Sequence, residues 1–436
     1  MFQVLRNAWK IADLRKKILY TLFIVLIFRI GSAITVPFVD VEVVKNMATS
    51  SGNEFLSYLT MLSGGGFSNA SVFALSIQPY INASIIIQLL TVAIPPLERM
   101  AKDGEAGRKK LGQITRYCTV GLGLLLGVAY YFMVRNKYGA LVSEAKTGAW
   151  AWFAGIVIVL CFTAGSALMM WLGEQINDKG IGNGISILLF AGIISRAPDA
   201  FKFLILDQFY TAGVKAGDAK NIILPIVIVL LFLVIIGFIV FMNDAERRIP
   251  VQYAKRVVGR KMYGGQSTFI PIKVNMSGVM PIILASAIIS MPAILAGFFG
   301  WDNWFVRLFT PSNPAYLILE FFLIIGFAFF YVTIQYNPLE MSNNLRKNSG
   351  AIPGYRPGKP TTDYIKRVLS KVTFIGALFL GVIAVFPGVF GIIAGQSYTG
   401  LTLGGTSIMI IVGVALETTQ QMESQMMMRH YKGFLE

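Results

Sequence analysis

Apolar residues gather along the chain into ten stretches, at 18–37, 73–94, 113–134, 151–173, 184–197, 221–242, 275–299, 316–336, 372–393 and 402–421, and the segments between them hold most of the charge. A helix needs about 20 largely apolar residues to cross roughly 30 Å of bilayer hydrocarbon. The pattern therefore predicts an all-α polytopic membrane protein with ten transmembrane helices. The fifth stretch is short and ends near Pro198, and hydropathy alone also admits nine spans.

Composition points the same way. Of 436 residues, 55% are hydrophobic and 14% charged, with a mean hydropathy of +0.64, against about 25% charged in ordinary soluble domains. This rules out disorder and weighs against a water-soluble fold. The net charge of +16 gains meaning from its placement. If the N-terminus is cytoplasmic, 28 of the 38 Lys and Arg fall in cytoplasmic segments and 9 in external ones, while Arg29 lies inside the first stretch. That bias puts both termini in the cytoplasm. Met1–Lys17 is basic and amphipathic, and no small-x-small cleavage pattern precedes Pro37, so the first stretch reads as an uncleaved span. Cys118 and Cys161 sit in apolar stretches and form no disulfide framework.

Catalytic chemistry is hard to find. The single histidine, His430, lies in the tail, and no Cys/His cluster has metal-ligand spacing, so no metal or other cofactor is expected. Gly354-Tyr355-Arg356-Pro357-Gly358-Lys359-Pro360 has too few residues between its glycines for a phosphate loop, and a proline where the Mg²⁺-binding hydroxyl belongs. Any work must draw on a partner or a gradient. Arg29, Glu320 and Glu417 are the clear ionisable residues within the spans, a sparse set for a gradient-driven transporter.

Three other features mark candidate sites. Between Gly52 and Ser71 a short apolar piece, 55–62, precedes Gly64-Gly65-Gly66. Eight helical residues rise only about 12 Å, so this piece lies on the outer surface or dips into the bundle as a re-entrant half-helix. The second stretch carries Gln78, Asn82, Ser84 and Gln88, which must face neighbouring helices or water. Ile77 and Ile81 share one helix face, and Ile185 and Leu189 repeat the spacing, as ordinary packing or as part of a water-excluding constriction. The long basic loops 243–273 and 337–371, rich in turn residues, fit an acidic partner as well as simple topological anchoring.

Eight segments, in order, resemble the SecY family, the central subunit of the bacterial Sec translocase. They include "FRIGSAITVP", "MLSGGGFSNASVFALSIQPYINASIIIQLLT", "EAGRKKLGQITRY", "GIGNGISILLFAGI", "RRIPVQYAKR", "KVNMSGVMPIILASAI", "GAIPGYRPGKPT" and "GGTSIMIIVGVALET", and they run from the first span to the last. The resemblance implies two pseudo-symmetric five-helix halves, about 1–205 and 215–436, around an hourglass pore in the bacterial cytoplasmic membrane. Its ring would be Ile77, Ile81, Ile185, Leu189, Ile283 and Ile410. Leu62, Ser63, Gly64, Gly65, Gly66, Phe67, Ser68, Asn69 and Ala70 would form a re-entrant plug within about 55–70, and Gln88 and Asn275 would line a lateral gate. Arg248, Lys255, Arg256 and Arg356 would dock the SecA ATPase or the ribosome. The other implied partners are SecE, SecG, signal peptides, nascent polypeptides and membrane lipid. The implied function is a passive protein-conducting channel, not an enzyme, which passes unfolded secretory chains and releases transmembrane segments sideways. A small-solute secondary transporter and a poreless insertase are the competing readings.

Overall fold

A computed structural model describes residues 2–49, 60, 63–137, 139–142, 149–202, 210, 219–253, 256–258, 261–263, 267–299, 308–309, 313–394 and 405–432. Among these residues the fold is mostly helical, and every one of the ten apolar stretches contains a helix. In chain order the helices are α1 (Phe2–Lys10), α2 (Ala12–Ala33), α3 (Val41–Thr49), α4 (Gln78–Ala93), α5 (Pro95–Lys102), α6 (Gly104–Phe132), α7 (Ala149–Lys179), α8 (Gly184–Ile194), α9 (Ala197–Lys202), α10 (Ala219–Asp244), α11 (Met280–Phe299), α12 (Pro314–Gln335), α13 (Pro338–Lys347), α14 (Lys359–Ala394) and α15 (Gly405–Lys432). Five helical segments are long and apolar enough to cross a membrane alone, and the pair α4–α5, bent by 102°, makes a sixth. The chain is a multi-pass membrane protein.

Several helices outrun their apolar stretches by six residues or more toward the side expected to be cytoplasmic. Thus α6 adds 104–112, α7 adds 174–179, α14 adds 359–371 and α15 adds 422–432. Hydropathy sees only the part of a helix that meets lipid; the polar extensions are held by contacts such as Lys109 with Glu105 at 2.9 Å and Arg116 with Glu174 at 2.8 Å, which ties α6 to α7. Lipid gives no hydrophobic drive between spans, so close packing must come from small residues. Thr115, Thr119, Gly123 and Gly127 form such a buried stripe on α6, and a Cβ on Gly123 would lie 2.5 Å from Ser166 Oγ of α7.

The α7–α8 turn is set by one cap and one close approach. The Asn183 side chain accepts from the backbone N–H of Ile185 at 3.1 Å, satisfying a free donor of the first helical turn. A Cβ on Gly184 would sit 1.9 Å from the Gly173 carbonyl oxygen, so only glycine lets the two helices meet there.

The two basic loops are joined by a sheet, a feature absent from the all-α expectation. β1 (Glu246–Tyr253) pairs antiparallel with β4 (Ser267–Lys273), Arg248 opposite Pro271, and on its other edge with β5 (Gly350–Ala351). β2 (Arg256–Val258) and β3 (Lys261–Tyr263) form a separate hairpin. Ile249 and Val251 point into a core with Ile272, Leu345, Ile352, Ile365 and Leu369, while Arg248, Pro250 and Gln252 stay exposed. The described parts of loops 243–273 and 337–371 therefore share one packed unit over the ends of α12 and α14. The expected boundary between halves falls on 203–218, where only Tyr210 is described.

Candidate functional site

At the centre, side chains from both parts of the chain meet. Ile77, the residue before α4, lies with Leu189 of α8 and Ile410 of α15 in one buried apolar cluster, and Ile81, Ile185 and Ile283 pack against it. All six residues named for the ring are thus brought together, from four helices. Phe28 and Phe73, stacked with ring centroids 6.3 Å apart, extend the same cluster.

The glycine segment lies against the N-terminal helices. Leu62 and 51–59 are outside the described residues; Ser63–Ala70 is a run of tight turns, buried except at Asn69. The segment is bonded at both ends, Gly65 N–H to Thr60 O at 2.7 Å and Val36 N–H to Ala70 O at 2.9 Å. Phe67 packs edge-on against Tyr130, centroids 4.8 Å apart, and Tyr130 packs in turn on Phe162 at 4.6 Å. The Tyr130 hydroxyl donates to the Phe67 carbonyl at 3.1 Å. Arg29 reaches from α2 to donate to the Gly64 carbonyl at 2.9 Å.

The gate residues divide differently. Gln88 is exposed, and Asn275 donates its amide to Asn243 Oδ1 at 2.7 Å, toward the end of α10. Among the described residues no hydrogen bond joins Gln88 to Asn275. The contact between α4 and α11 is instead apolar: Ile85 is buried against Leu284 and Ala287, flanked by Ile81, Leu89, Phe327 and Tyr331. Sequence reasoning picked the polar residues and missed this seam, although Ile81, Ile85 and Leu89 recur every four residues on one face of α4.

On the cytoplasmic unit, Arg248 is exposed on β1, its Nε 2.6 Å from Glu246 Oε1 and its guanidinium 4.7 Å from the centre of the Phe269 ring. Lys255 lies outside the described residues, and Arg256 opens β2. Arg356 is exposed in a shaped turn. Gly354 and Gly358 have φ of +84° and +114°, Thr361 Oγ1 donates to the Arg356 carbonyl at 2.8 Å, and Tyr355 packs on Tyr364 with centroids 4.3 Å apart. The loop holds a shape and does not behave as a tether.

The SecY family model matches residues 71–419. This chain belongs to the SecY family. A SecY translocase subunit from Streptomyces coelicolor is 45% identical over the full length of both chains. Among solved structures, a protein-conducting channel is similar with a TM-score of 0.65 at 19% identity, covering 94% of this chain and 92% of that one. Sec61 in a canine ribosome–channel complex is similar with a TM-score of 0.61 at 16% identity, covering 94% and 92%. These structures share the fold of this SecY-family chain.

Proposed function

We propose that this chain is a protein-conducting channel with ten spans and no catalytic step, its termini cytoplasmic in a bacterial inner membrane. The observation that carries the reading is the convergence of Ile77, Ile81, Ile185, Leu189, Ile283 and Ile410, from both parts of the chain, on one apolar cluster. A conduit for varied unfolded polypeptides gains nothing from a specific polar site; a collar of flexible aliphatic side chains excludes water and ions when empty and tolerates any sequence when filled. Membership of the family supports the reading.

The other parts take roles around the collar. The segment ending Ser63–Ala70 is the plug that closes it. The Ile81–Ile85–Leu89 contact with Leu284 and Ala287 is the lateral gate: an apolar seam that a hydrophobic signal helix replaces like for like, with Gln88 and Asn275 at its margins. The sheet-bearing unit with Arg248, Lys255, Arg256 and Arg356 is the docking surface for SecA or the ribosome, where positive charge and a fixed shape suit an acidic protein or RNA. SecE and SecG complete the complex, and signal peptides, nascent chains and lipid meet at the gate. The test joins Ile85→Cys to Leu284→Cys with a short cleavable thiol crosslinker in protein lacking Cys118 and Cys161. Export into membrane vesicles should stop and resume on cleavage, whereas undiminished export through the joined seam would refute the gate.

A further inference from the structure

We propose that Arg29 is the latch of the closed channel, a positioning residue whose guanidinium holds the glycine segment in place by its backbone; this rests on reading that segment as the plug. Arg29 lies on α2 within an apolar stretch, where a charge is costly and is retained for a purpose. Its Nη1 donates to the Gly64 carbonyl at 2.9 Å, and no ion pair involving it is found among the described residues.

The geometry is built around this contact. Gly64 has φ of +62°, and a Cβ there would meet Gly192 Cα at 3.0 Å, Ser195 Oγ at 3.1 Å and Arg29 Nη1 at 3.2 Å. The turn is therefore pressed between α8 and the guanidinium, with glycine needed both for its backbone conformation and for space. Ser195 is the other group near the same carbonyl, but its hydroxyl donates to the Gly192 carbonyl at 2.6 Å and stands 3.5 Å from that of Gly64. A hydroxyl has one proton, so Arg29 is the effective donor. Tyr130 secures the segment independently, through the Phe67 carbonyl and ring contact. The Arg29 contact differs in kind, because a charged donor binds more strongly than a neutral one and its acceptor leaves with the segment.

Losing one charge-assisted hydrogen bond shifts a two-state equilibrium by about tenfold or more. The experiment compares halide leak in vesicles carrying the whole complex, with Arg29→Met, Arg29→Lys, deletion of 60–70, and the deletion combined with Arg29→Met. Arg29→Met should raise leak about tenfold; Arg29→Lys, which keeps a donor, should raise it less, and Arg29→Met should add nothing once the segment is gone. Leak unchanged by Arg29→Met, or raised equally with and without the segment, would overturn the latch. Should deletion itself leave leak unchanged, the plug reading fails, and amide exchange at 63–71 then decides the contact: faster in Arg29→Met sustains it, unchanged overturns it.

Discussion

Two of the places where the N-terminal and C-terminal parts of the chain touch differ in depth and in kind. On one side α15 lies along the N-terminal helices: Ile410 and Val414 are buried with α8, and Met422 is buried with Ala8, Leu14 and Ile181. Lys17 Nζ lies 3.3 Å from Gln425 Oε1, and a Cβ on Gly182 would come within 3.1 Å of Thr418 Oγ1. On the other side α4 meets α11 through one small patch, Ile85 with Leu284 and Ala287. The first contact runs from the centre to the polar extensions of the helices; the second is an apolar patch with no hydrogen bond among the described residues. Packing between helices in lipid grows with the number of atom pairs in contact, so in the proposed channel the small seam is the one that parts and admits a third apolar helix. In the proposed channel the extensive seam serves as the hinge and the small one as the door.

The largest effect expected from this contrast is asymmetric crosslinking. Joining Ile85→Cys to Leu284→Cys should abolish export, while joining Lys17→Cys to Gln425→Cys across the hinge should leave most of it; equal inhibition by both would erase the distinction. Next comes Arg356→Glu, which reverses an exposed charge in a shaped loop and should cut SecA-driven export at least tenfold while membrane insertion of the protein stays intact, as measured with a secreted reporter. In the central cluster, Leu189→Ala removes buried aliphatic volume and should lower stability by about 2–5 kcal/mol, the usual range for such a truncation, with a rise in ion leak. The smallest effect belongs to Gln425→Ala, whose partner sits at the hinge surface. It should cost under about 1 kcal/mol and leave export unchanged, in a thermal-denaturation and vesicle-export pair of assays.

The helices were legible because membrane spans announce themselves by apolar length: each of the ten stretches contains helix, and among the described residues five segments, or six with the bent α4–α5 pair, are long and apolar enough to cross a membrane. Their ends were not, since α14 begins at Lys359 and α15 runs to Lys432 on polar residues that hydropathy discards. The sheet over the basic loops left a trace in the alternation of Arg248, Ile249, Pro250, Val251 and Gln252, but the positive charges drew attention to docking and away from a period of two. The six central aliphatics came from family resemblance; nothing in their spacing alone separates a collar from packing. The Arg29 contact had no signature in sequence, because its acceptor is a backbone carbonyl that every residue possesses.

The most direct test of the central claim, that the polypeptide path runs through the central apolar cluster, replaces Cys118 and Cys161 and introduces Ile283→Cys. A stalled secretory chain with its own cysteine is then presented to the assembled complex. The account predicts a disulfide between Ile283→Cys and the chain that forms only with SecA or a translating ribosome present. No such bond, at this site or at Ile81→Cys, in complex shown to be folded and occupied, would contradict it.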